Sequence, residues 1–132
     1  MSLSPGILQE VRDRPCTKCP WRTDTDLTQF SEEEMDMLRR ADGRPGTDAA
    51  INAPAVGCHR DQPGTAHAWR WCAGWLSIVG HYHHGVRMAG AIGAIPEGAL
   101  DPQPGWPALY PGLDALLDAR ADQLARLNDS AV

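Results

Sequence analysis

Four cysteines, placed as Cys16-x2-Cys19, then Cys58, then Cys72, constrain this 132-residue chain more than any other feature. Between Cys19 and Cys58 lie 38 residues, and 13 more separate Cys58 from Cys72. If all four act together, the fold must bring three distant segments to one point. The first pair is the strongest signal, because a single turn aims two thiolates at that spacing to the same side. Arg14, Lys18 and Arg22 flank it, and positive charge favours thiolate over thiol.

Composition supplies a reason for such a centre. Leu, Ile, Val and Phe number 23 of 132 residues, whereas Gly and Pro number 24. A core with so few large aliphatic groups is thin. A net charge of only -5, together with five Trp, nevertheless argues for a folded chain. A centre shared by three segments would add folding free energy that burial alone does not supply. The length fits a single domain, read here as residues 14–128, with an N-terminal arm over 1–13 and a tail over 129–132.

Charge and hydropathy exclude other classes. With one lysine, Lys18, and a negative balance, no basic stripe exists to neutralise a nucleic-acid backbone, so the expected partner is a protein or a small molecule. The longest run free of Asp, Glu, Lys and Arg, Trp71 to Val86, holds three histidines and is too short for a membrane helix. Residues 1–14 contain no apolar export segment. The expected location is cytoplasmic, where thiols stay reduced and four cysteines point to metal or redox chemistry rather than to disulfides.

The expected fold is mainly α, with about three helices and long irregular loops organised around a four-cysteine metal centre. Ser31 with Glu34 forms a capping box, and Phe30 with Met35 a hydrophobic staple, so a helix starts there and ends near Gly43. Residues 42–65 read as a long loop with a short strand at Ala55-Val56. A central helix is predicted from Trp69 to about Ile92, with Cys72, Trp75, Leu76, Val79, His83 and Val86 on one stripe. A Pro-rich connector over 96–111 leads to a last helix from Leu113 to Leu127, with Leu113, Leu116, Leu117, Leu124 and Leu127 inward and Asp114, Asp118 and Asp122 outward.

Cys16, Cys19, Cys58 and Cys72 are the candidate metal and cofactor ligands. Four thiolates suit Zn2+, although structural zinc sites mostly use two close pairs and this chain has one. A 4Fe-4S cluster tolerates scattered ligands, and Cys19-Pro20 matches the Cys-Pro step that ends a bacterial ferredoxin ligand run. The cluster is therefore placed ahead of zinc. Trp21, Trp69, Trp71 and Trp75 lie within three residues of a cysteine and would keep water from either centre. The plainer alternative is that the four are small buried hydrophobes, a reading that suits Cys72 better than the Cys16/Cys19 pair. Dithiol chemistry of the thioredoxin type is disfavoured, because charged residues rather than a strand precede Cys16.

The catalytic candidates are His59, His81, His83 and His84. His59 adjoins Cys58 and could donate to a sulfur or act as its base. On a continuous helix His83 lies about 16 Å beyond Cys72 and cannot share its ion. His81 and His84, three apart, would share another face, which is most simply a wet surface.

Arg14-Pro15-Cys16-Thr17-Lys18-Cys19-Pro20-Trp21-Arg22, Cys58-His59, Cys72-Ala73-Gly74-Trp75 and Val86-Arg87 together resemble the signature of an uncharacterised family of short actinobacterial and actinophage proteins, a domain of unknown function. The resemblance implies that the four cysteines belong to one design and brings no activity with it. The expectation is a small metalloprotein acting as a redox or regulatory module, with a structural zinc protein and a small metal-dependent enzyme as alternatives.

Overall fold

The computed structural model of the chain describes residues 9–58 and 70–130; His59, His67 and Trp69 lie outside them. Four α-helices follow in order: α1 (Glu32–Arg40), α2 (Ala73–Val79), α3 (His84–Ala91) and α4 (Leu113–Ser130), with short 3-10 turns at Leu27–Gln29 and Gly80–Tyr82. Among the described residues there are isolated β-bridges and no strands, which matches a sequence poor in β-branched residues.

α1 starts where its capping box predicts. The Ser31 hydroxyl accepts from Glu34 N–H at 3.1 Å, while the Glu34 carboxylate accepts from Ser31 N–H at 3.0 Å. Phe30 and Met35, the staple pair, are both buried. α4 runs from Leu113 to Ser130, yet its leucine stripe is only partly core. Leu113 and Leu116 are buried, Leu117 and Leu124 half-buried, and Leu127 exposed. Arg120 anchors this helix to the start of α1, donating to Glu32 Oε2 at 2.6 Å and to Phe30 O at 3.0 Å.

The predicted continuous central helix is corrected: it is broken into α2, a 3-10 turn and α3. His83 is extended (φ -118°, ψ 121°) and caps α3, its Nδ1 accepting from Val86 N–H at 3.2 Å. Gly80 packs so tightly that a Cβ there would stand 2.9 Å from Leu100 Cδ2. The break leaves the predicted stripe intact, since Cys72, Trp75, Leu76, Val79, His83 and Val86 are all buried. The start also differs: Cys72, rather than Trp69, opens the helix as its N-cap.

In place of the expected strand at Ala55-Val56, a small ladder forms around Trp71. Cys58 N–H donates to Arg70 O at 2.8 Å and Cys72 N–H to Val56 O at 2.9 Å, while Trp71 N–H donates to Glu10 O at 2.8 Å and Arg12 N–H to Trp71 O at 3.1 Å. The pairing brings Cys58 beside Cys72. It also draws the end of the N-terminal arm into the fold, where Gln9 N–H reaches Ala94 O at 2.8 Å.

Candidate functional site

Two tight turns hold the first cysteine pair. Cys19 N–H donates to Cys16 O and Arg22 N–H to Cys19 O, each at 3.1 Å. Thr25 Oγ1 donates to Cys19 O at 2.6 Å, and Arg22 Nη1 to Cys16 O at 3.3 Å. Arg22 is itself fixed by a paired contact with Asp24 at 2.8 and 2.7 Å, the two-pronged geometry that a guanidinium favours. Beyond the turns the chain is tied to the Pro-rich connector, Tyr110 N–H donating to Trp21 O and Thr23 N–H to Ala108 O.

All four cysteines are buried, with exposures of 5% for Cys16, 0% for Cys19, 5% for Cys58 and 6% for Cys72, and all have free thiols. They converge as two hydrogen-bonded pairs. Cys19 Sγ lies 3.8 Å from Cys72 Sγ, and Cys16 bonds Cys58. The pairs also feel each other electrostatically, Cys16 with Cys19 and Cys72, and Cys58 with Cys72. Among the described residues, no three or more His, Cys, Asp or Glu side chains stand as a ready-made metal cage.

Backbone amides point at three of the sulfurs. Cys16 accepts from Lys18 N–H, Cys19 from Trp21 N–H, and Cys72 from the N–H groups of Gly74 and Trp75. The Trp75 contact, at 3.5 Å, is the N-cap of α2. Such donors favour thiolate, whereas burial favours thiol. The balance differs across the site. The hydrogen bond from Cys19 holds the Cys72 thiol below its ordinary range, helped by these amides and opposed by burial. Cys19 is pushed well up by the same bond and by burial. Cys16 is pushed up by its bond to Cys58 and by burial, against the Lys18 amide.

An aromatic wall backs the sulfurs. Trp21 and Trp75 are fully buried, and their indole nitrogens have no hydrogen-bond partner. Trp75 meets Trp71 and His83 edge to face, at 6.3 and 4.9 Å between centroids. Gly74 lets the wall close, because a Cβ there would come within 2.9 Å of both Cys19 Sγ and Trp21 Cβ.

The histidines divide. His83 is a structural group with both nitrogens engaged, Nδ1 with Val86 N–H and Nε2 with Pro54 O at 3.0 Å. His81 is exposed beside a cavity of about 280 Å³ that Ser77, Tyr82 and Arg44 also line. His84 opens α3 beyond the break, so the expected helical face shared with His81 does not form. Sequence reasoning missed the tethers from Arg22 and Thr25, which leave no periodic signal, and the capping role of Cys72. The latter was detectable, since a small polar residue directly before the apolar run Ala73-Gly74-Trp75-Leu76 is a helix-start pattern.

Among the described residues no helix is long and apolar enough to cross a membrane. No curated protein and no solved structure matches the chain significantly. A family model does match, over residues 11–129, a span that takes in all four cysteines and every helix up to the last residues of α4. The chain therefore belongs to the family of unknown function DUF6283.

Proposed function

We propose that Cys16, Cys19, Cys58 and Cys72 hold one metal centre and that the chain is a small metal-stapled module with a redox-responsive site. The observation that carries this reading is the convergence of four buried thiols from three segments, with backbone N–H donors turned to three of them. Buried cysteines that served only as small hydrophobes would have no use for those amides. The orphaned indole N–H groups of Trp21 and Trp75 suit the same reading, since a negatively charged tetrathiolate is an acceptor-rich neighbour.

Spacing favours a single ion over a cluster. Tetrahedral Zn–S bonds of about 2.3 Å place neighbouring sulfurs about 3.8 Å apart, which is the Cys19–Cys72 separation of 3.8 Å. A cubane binds its thiolates on four separate irons, roughly 6 Å from one another. Zinc is thus the better supported occupant and 4Fe-4S the second reading. To bind either, the two thiol pairs must lose their protons and draw together.

The deciding experiment is metal and acid-labile sulfide analysis, with an absorption spectrum, on protein purified without oxygen. About one zinc per chain and no colour is expected. Iron and sulfide near four each, with a broad band near 400 nm, would establish the cluster instead. Protein that carries no metal and takes up neither zinc nor iron would end the proposal.

A further inference from the structure

A cavity of about 460 Å³ lies between α1 and residues 55–57, and Cys72 forms part of its wall. None of the other three cysteines lines it. Its interior is apolar, from Phe30, Met35, Leu38, Ala55 and Val56, while charged residues such as Glu33 and Arg40 also border it. A space of this size accepts a small organic molecule, and its lining selects for one with an apolar body.

Behind the Cys72 sulfur, 3.8 Å away, stands that of Cys19. This gap is only about 1.8 Å wider than the 2.05 Å of a disulfide. A cysteine in the wall of an apolar cavity, with a second thiol 3.8 Å from its own, has the arrangement of an attacking and a resolving cysteine.

We infer that this cavity admits organic hydroperoxides to Cys72 and that Cys19 resolves the product as a disulfide. The Cys72 sulfur attacks the terminal peroxide oxygen, the O–O bond breaks, and the alkoxide leaves and takes up the thiol proton as an alcohol. Cys72 is then a sulfenic acid. Cys19 sulfur attacks Cys72 sulfur, forming the S–S bond and expelling the hydroxyl as water. In sum, two thiols and one hydroperoxide give one disulfide, one alcohol and one water. The inference builds on the proposed centre, since loss of two ligands would release the ion and make the site a switch.

The test treats the protein as purified with cumene hydroperoxide or with hydrogen peroxide at equal concentration. Disulfides are mapped by non-reducing peptide analysis, and metal content is measured on the same samples. A Cys19–Cys72 bridge is expected, formed roughly tenfold faster with cumene hydroperoxide, the factor that burial of a few apolar carbons supplies. Ala55→Phe, which fills the cavity, should abolish that preference by lowering the cumene hydroperoxide rate more than the hydrogen peroxide rate. Met37→Trp at the exposed edge serves the same purpose if Ala55→Phe does not fold. A Cys16–Cys58 bridge, equal rates with the two peroxides, or a preference that survives both variants would overturn the inference, whatever the metal content. Conversely, the expected bridge in protein that carries no metal and takes up neither zinc nor iron would sink the metal reading and leave the peroxide chemistry standing.

Discussion

Gly74 and Cys19 stand so close that a Cβ on the glycine would lie 2.9 Å from the cysteine sulfur. In an exposed helix, Gly→Ala gains about 1 kcal/mol from propensity. Here that gain is outweighed, because the second clash, with Trp21 Cβ, lies next to the backbone and has little room to yield. Overpacking of this kind costs about 1–3 kcal/mol. Gly74→Ala is expected to lower thermal stability and to reduce bound metal, as read by calorimetry and metal analysis. A variant as stable and as fully loaded as wild type would contradict the packing described.

In the proposed centre, Cys58 is the residue that ties the loop after α1 to the other three cysteines. Cys58→Ser preserves size and hydrogen bonding but weakens a soft-metal site. Its metal content is predicted to fall well below one per chain, and its melting temperature to approach that of chelator-treated wild type. Stripping the metal from Cys58→Ser should then change its melting temperature little. Equal loading and equal melting of Cys58→Ser and wild type would remove Cys58 from the ligand set.

His83 belongs to the framework. Truncation to Ala would leave Pro54 O and Val86 N–H without their side-chain partner, and would open a void beside Trp75, whose ring packs edge-on against the imidazole. Lost cap, lost hydrogen bond and cavity together suggest about 2–4 kcal/mol. His83→Asn, which retains a capping oxygen, should recover part of that loss in denaturant unfolding. His81→Ala should stay within about 0.5 kcal/mol of wild type, because that residue is exposed.

Acid stability should depend on Arg44. Its guanidinium bonds Asp114 at 2.7 Å and Asp42 at 2.6 Å, linking the loop after α1 to the start of α4. The hydrogen bond and charge of Arg44 hold the Asp114 carboxyl below its ordinary 3.8. A carboxylate lowered on folding contributes stability that is present above its unfolded value and lost as pH falls through its folded one. Asp114→Asn should therefore flatten the stability profile below about pH 4 and leave it unchanged near neutrality apart from a small offset. Because the pair is exposed, added salt should shrink the difference. A wild-type and variant pair that diverges only above neutral pH would be the wrong sign.

Local chemistry made much of the fold legible. Ser31 and Glu34 mark the start of α1 because a capping box acts within one turn, and its result is independent of what lies elsewhere. The burial of Cys72, Trp75, Leu76, Val79, His83 and Val86 was visible as periodicity. That periodicity did not expose the break inside the stripe. A buried face constrains which residues point inward, and a 3-10 turn followed by one extended residue kept His83 and Val86 inward while changing the path of the chain. Likewise, the spacing of the Leu113 to Leu127 stripe said nothing of where the neighbouring packing stops, so Leu127 emerged exposed.

The sequence by itself determined the local elements: the capping box of α1, the turn at Cys16 and Cys19, the apolar stripes and the poverty of strands. These depend on residues within a few positions of one another, where sterics and hydrogen bonding leave few choices. Only the tertiary structure decided which sulfur faces which. Cys19 meets Cys72 across 53 positions of sequence, and Cys58 reaches the site through a ladder on Trp71 that also recruits Glu10 and Arg12. Such contacts are chosen by the packing of the whole core, in which the missing Cβ of Gly74 and the indoles of Trp21 and Trp75 set how closely the segments approach.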